Sequence, residues 1–129
     1  MDKVSFLWQV TKYNVETGTP TRLAPLPGTG MGWHACYTDN IFVYVSGGST
    51  GPRRAGVWRY NPVGDEWTAL PDLAVATHGH AMVQLNGELT VVGGSDWKSV
   101  QVFRGGAWHH HKGVLAEPFD QGGAVLLNN

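Results

Sequence analysis

Residues 81–94 read AMVQLNGELTVVGG, and the order of residue types within them decides the fold. Asn86-Gly87 stands between two runs of strand-forming residues, His80 to Leu85 and Glu88 to Val92, and a flanked Asn-Gly pair is the strongest short-range signal of a β-hairpin. The second run closes on a glycine doublet, Gly93-Gly94. The same arrangement occurs 46 residues earlier, with Ala35 to Tyr37, a turn at Asp39-Asn40, Ile41 to Val45, and then Gly47-Gly48. In both copies the first glycine stands twelve positions after the alanine. A second register agrees, since Tyr13-Asn14 and Leu23 recur 47 residues on as Tyr60-Asn61 and Leu70. The one-residue difference falls in the intervening loop, where insertions are tolerated.

Each copy supplies two further strands. Val57 to Tyr60 and Trp67 to Ala69 flank an Asn61-Pro62-Val63-Gly64-Asp65 turn, and Val100 to Phe103 precedes Gly105-Gly106 and Trp108. No long segment carries apolar residues at helical spacing. A repeat of 46 or 47 residues with four short strands has the length of one blade of a β-propeller.

The pattern resembles the kelch repeat, of the kind found in kelch-like proteins that carry a BTB domain. That family has an apolar first strand, a second strand ending in a glycine doublet, a tyrosine closing the third strand, and a tryptophan about six residues later. Here the doublets are Gly47, Gly48, Gly93 and Gly94; the aromatic positions are Tyr13, Tyr60 and Phe103, then Trp67 and Trp108. Glycine suits a strand end that must take positive φ or let backbones approach closely. The Tyr and Trp supply large apolar area between blades, each with a polar handle. Two departures loosen only the outer rim. Pro20 occupies the first copy's tryptophan position, which an edge strand tolerates, and Gly105-Gly106 shortens the third copy's outer turn.

The expected fold is therefore all-β, a partial kelch-type propeller of about two and three-quarter blades of four-stranded antiparallel sheet. Residues 1–23 supply half a blade, 33–70 and 78–111 a blade each, and 121–129 the first strand of another, eleven strands in all. Closed propellers have about four to eight blades, so the expectation is a segment of a longer propeller, or one that another chain completes.

Eighteen glycines, seven prolines and fourteen aromatics against nineteen charged residues suit short strands and tight turns. A formal charge of -1 lacks the dense basic footprint that nucleic acid or an anionic membrane requires. Cys36 is the single cysteine, which excludes an intrachain disulfide and fits a reducing compartment. Val4 to Val10, broken by Ser5 and Gln9, is too short and polar for a signal peptide. The expected location is cytoplasmic.

Several residues invite a chemical role. His78 and His80 have a zinc-pair spacing, but no Cys, Asp or Glu nearby completes a site. His34 and His80 hold the same repeat position, which favours a framework role. His109-His110-His111 lie on a strand, where neighbours face opposite ways and cannot converge on one ion. Cys36, among apolar residues of a first strand, is expected to be a buried, inert thiol. No catalytic residue, metal or cofactor is assigned.

Arg53-Arg54 and Trp97-Lys98 both follow a glycine doublet, in the loops 49–56 and 95–99. Such loops and the connections into each first strand (24–32, 70–78 and 112–121) emerge on one face. Arg and Trp are enriched at interface hot spots, and loops on rigid scaffolds concentrate binding residues. The resemblance implies a protein-binding module. In the BTB-joined group such propellers present substrates to cullin-based ubiquitin ligases. The competing readings are a cytoskeletal scaffold, which would use the same loops, and a kelch-like enzyme of the galactose-oxidase or sialic-acid mutarotase kind. The latter needs convergent titratable groups, and Cys36-Tyr37, whose side chains point to opposite faces, does not supply them.

Overall fold

The computed structural model describes residues 9–27, 34–48, 55–95, 98–112 and 114–115. These form ten strands: β1 (Val10–Tyr13), β2 (Pro20–Leu23), β3 (Ala35–Thr38), β4 (Val43–Ser46), β5 (Val57–Asn61), β6 (Glu66–Leu70), β7 (Ala81–Leu85), β8 (Glu88–Val92), β9 (Val100–Arg104) and β10 (Ala107–His111). All pairings are antiparallel, and each sheet is a meander of sequence neighbours: β1-β2, β3-β4-β5-β6 and β7-β8-β9-β10. The all-β, four-stranded architecture expected from the repeat is the one observed. The eleventh strand, expected at 121–129, lies outside the described residues.

Turn chemistry sets the register. Asn86 and Gly87 both take positive φ (51° and 79°), the twist a two-residue hairpin loop needs, and they align Leu85 with Glu88. In the third sheet's outer hairpin Gly105 and Gly106 do the same (61° and 79°) and align Arg104 with Ala107. The corresponding turn of the second sheet is longer and ends on Asp65, which takes φ 53°. Pro20 opens β2 opposite Tyr13, on an edge strand where its missing N–H costs no ladder bond.

Alternation along each strand sends two apolar sets in opposite directions. The innermost strands β3 and β7 lie against each other. Between the two four-stranded sheets Ala35, Val57 and Leu73 meet Met82, Val91 and Trp108, all buried, with Tyr37, Tyr44, Leu70, Leu89 and Phe103 around them. On the other face of the second sheet Val45, Val43, Trp58 and Trp67 pack with Val10 of the two-stranded sheet and with Leu26 in the connection after it.

Cys36 departs from expectation, because it is exposed. It sits opposite Val45 on the face turned to the two-stranded sheet. That sheet covers the outer strands, and among the described residues no strand covers β3 there. Its repeat equivalent, Met82, is only 4% exposed because the second sheet lies over it. The two positions share a strand geometry and differ in what the neighbouring blade provides.

Candidate interaction face

The glycine doublets stand where the sheets crowd together. Gly47, Gly48, Gly93 and Gly94 take φ of 61°, 101°, 67° and 93°, a region L side chains rarely enter. Space is short as well. A Cβ on Gly47 would lie 2.6 Å from both the Thr77 carbonyl oxygen and His80 Cε1. A Cβ on Gly94 would overlap Thr77 Oγ1 and sit 2.9 Å from His78 O and His80 Cβ. Both doublets are needed because the segment joining β6 to β7 passes through the space between them.

That segment is held by polar contacts. The Gly48 N–H donates to the Thr77 carbonyl (2.9 Å), and the Ser95 N–H donates to Thr77 Oγ1 (3.1 Å), which also lies 3.0 Å from Ser95 Oγ. Ser46 Oγ and His80 Nε2 are 2.9 Å apart. Burial is the main cause that drives the His80 pKa down to about 4, so the imidazole is neutral. Further along, the Gln101 amide accepts from the Val75 N–H (3.1 Å) and donates to its carbonyl (3.0 Å), imitating a strand neighbour.

The connection joining β6 to β7, with residues 70–78 expected to contribute to a binding face, is thus mainly framework. Leu73, Thr77 and His80 are buried, while Pro71, Asp72 and Ala74 are exposed. His78 and His80 lie outside any strand, and His80 is turned to Ser46 rather than toward a shared ion. His109, His110 and His111 alternate exposed, half-buried and exposed along β10. Among the described residues no group of three or more His, Cys, Asp or Glu converges as a metal site. No helix among them is long and apolar enough to cross a membrane.

The loops after the doublets are pinned at their bases in the same way in both blades. Gly47 N–H donates to Gly56 O (2.9 Å), and Gly93 N–H to Ser99 O (2.8 Å). The next connection then ties in, Leu73 N–H to Ala55 O (2.8 Å) and Leu115 N–H to Lys98 O (2.9 Å). These bonds place the bases of the doublet loops and the connections at Leu73 and Leu115 at one end of the sheets, with the described hairpin turns at the other. Lys98 is exposed on that end. Arg53, Arg54 and Trp97 lie outside the described residues.

The aromatic signature works at the outer rim. Trp67 Nε1 donates to the Ala24 carbonyl (2.8 Å) and Trp108 Nε1 to the Pro71 carbonyl (3.0 Å), and Ala24 and Pro71 are themselves repeat equivalents. Tyr60 packs against Trp67 as a tilted pair with ring centroids 4.9 Å apart, as Phe103 does against Trp108 at 5.2 Å. Tyr60 also donates to Asp65 Oδ1 (2.5 Å), which accepts the Ala24 N–H (2.9 Å). Burial first, then that carboxylate, pushes the Tyr60 phenol up to about 12, while the phenol's hydrogen bond lowers Asp65. Phe103 has no hydroxyl, so the third copy lacks this bridge. Thr77, Asp65 and Gln101 were not singled out by sequence. Only Gln101 carried a signal, as a polar residue between Val100 and Val102 in an otherwise apolar strand.

Comparison with known proteins places these features. Residues 43–74 match the Kelch motif family model. Kelch-like protein 21 of Danio rerio is 38% identical over 82 residues, covering 63% of this chain and 13% of that protein. The Rattus norvegicus protein is 38% identical over 81 residues (62% of this chain, 14% of that protein). The human protein is 36% identical over the same number of residues and with the same coverage. The match thus spans about one-seventh of the length of these relatives. Among solved structures that of YjhT superposes with a TM-score of 0.60 at 20% identity, over 73% of this chain and 40% of that one, which is a likeness of fold.

Proposed function

From a chain that belongs to the kelch-repeat family, we propose a protein-binding function exercised through the end of the sheets that carries the doublet loops. One observation carries it: the loops 48–55 and 94–98 are closed at their bases by the same backbone bonds in both blades, on a buried framework. Rigidly based loops can present side chains at low entropic cost. Arg53, Arg54, Trp97 and Lys98 are the proposed contacts, Arg as a bidentate donor fork and Trp as a flat apolar surface. The finer proposal is substrate recognition for a cullin-based ubiquitin ligase, working in the cytoplasm, with further blades or another chain closing the ring.

A photo-crosslinking residue placed at position 54 or 97 tests the face, with Glu16 in the β1–β2 turn as the control. Specific protein adducts from 54 and 97 and none from 16 are the expected result. Once the adduct is identified, Arg54→Ala and Trp97→Ala should each weaken its binding at least about tenfold without changing the melting temperature. Adducts from the turn position alone would overturn the assignment of the face. Co-purification of a cullin with the longer protein tests the ligase reading separately.

A further inference from the structure

The opposite end of the sheets carries a surface of a different kind. Of six exposed large hydrophobic residues among those described, five sit at hairpin ends: Tyr13 and Val15, Ile41, Val63 and Leu85. Only Val114 does not.

Beside Ile41, on the face of the second sheet turned to the third, Tyr37, Tyr44 and Phe42 form a chain of aromatic contacts, and Arg59 lies over Phe42 at its end. Tyr37 and Tyr44 have ring centroids 6.4 Å apart, and Phe42 and Tyr44 meet edge-on at 6.5 Å. The Arg59 guanidinium carbon lies 4.5 Å from the Phe42 ring centroid. The Tyr37 hydroxyl donates to Gln84 Oε1 across the seam (3.0 Å), which fixes the two sheets relative to each other there. Arg59 makes no ion pair with a described carboxylate. Asp39, the acid of the adjoining turn, accepts the Ile41 and Phe42 N–H groups through Oδ1 (2.9 and 2.8 Å). The repeat equivalents of Arg59 are Lys12 in the first sheet and Val102 in the third, so of the two four-stranded sheets only the second carries a cation at this place.

We propose that the hairpin end of the seam between the second and third sheets is a second binding surface, one that takes an acidic peptide segment with an apolar residue beside its carboxylate. The carboxylate sits on the Arg59 fork, and the apolar neighbour lies over Ile41 and Phe42. Stacking holds the guanidinium plane in place, so less side-chain freedom is lost when a carboxylate pairs with it. A solvent-exposed ion pair alone contributes little, and the adjoining apolar area is what makes the surface selective. This surface is independent of the doublet-loop face and lies at the other end of the strands.

The test uses the full chain and a fluorescein-labelled peptide alternating glutamate and leucine, with its lysine–leucine counterpart as control. Fluorescence anisotropy should show binding of the acidic peptide and little of the basic one, weakening as salt rises. Arg59→Ala should lower the affinity at least about tenfold, Arg59→Lys should retain part of it, and Arg54→Ala should leave it unchanged. Because Arg59→Ala also removes packing on Phe42, Ile41→Glu serves as a second variant. Residue 41 is 67% exposed, so its replacement spares the core while repelling the acidic peptide. Absence of binding, equal binding of both peptides, or wild-type affinity in both the Arg59→Ala and Ile41→Glu proteins overturns the proposal. So does loss of binding in Arg54→Ala alone.

Discussion

Replacing Gly94 by alanine separates two reasons for a glycine that the doublets combine. The first is conformational: φ at Gly94 is +93°, and a Cβ in the left-handed region costs about 1–2 kcal/mol. The second is steric, because the new Cβ would overlap Thr77 Oγ1 and press on His78 O and His80 Cβ at 2.9 Å. Overpacking of that kind typically adds about 1–3 kcal/mol. The threonine oxygen can rotate away at the loss of its bonds to Ser95, whereas the His78 carbonyl belongs to the backbone and cannot. Gly87→Ala supplies the reference, since φ there is +79° and nothing lies within 4 Å of a Cβ. Urea unfolding followed by tryptophan fluorescence should give a loss of about 1–2 kcal/mol for Gly87→Ala and about 2–5 kcal/mol for Gly94→Ala, with unchanged m-values. Equal losses for the two variants would refute the close-approach argument and leave the doublet a purely conformational device.

Trp67→Phe and Trp108→Phe each leave a backbone carbonyl without its indole donor, at Ala24 and Pro71, and each should cost about 1–3 kcal/mol in the same assay. The folded pKa of His80, about 4, lies below its ordinary value of 6.5. Its contribution to stability is therefore complete above pH 6.5 and is lost as pH falls toward 4. The slope is at most about 1.4 kcal/mol per pH unit, and unfolding midpoints measured across that window should flatten in His80→Asn. Cys36 should react with a maleimide at the rate of an accessible thiol in the folded chain, whereas the cysteine introduced by Met82→Cys in a Cys36→Ser background should react only as the chain opens.

What the sequence made plain was whatever repeats within a single blade. Asn86-Gly87, the twelve-residue spacing to each doublet, and the Tyr60–Trp67 and Phe103–Trp108 pairs all report strand and turn geometry within one blade. Relations between blades were not readable, because they join residues far apart in sequence through positions with no distinctive type. Cys36 and Met82 look alike along their strands, yet one is exposed and the other buried, depending on what the adjacent sheet covers. The segment 71–80 has the composition of a surface connection and is drawn inward because Thr77 bonds to Gly48 of one doublet and to Ser95, the residue after the other. Asp65 looked like an ordinary turn residue, although its carboxylate reaches back 41 positions to the Ala24 N–H. Arg59 gave no signal, since only the fold sets it over Phe42.

The seam bonds also have an asymmetry with an evolutionary consequence. At Ala24 and Pro71 the atom that holds two blades together is a main-chain carbonyl, which every amino acid possesses. Val75 takes part through main-chain atoms alone. Substitution at such places leaves the acceptor intact, whereas the donors Trp67, Trp108 and Gln101 have no interchangeable replacement. Mutational drift can therefore run freely along one side of each seam while the other stays nearly fixed. Blades built this way can diverge until little more than a tryptophan and a pair of glycines remains in common, and still dock in the same register.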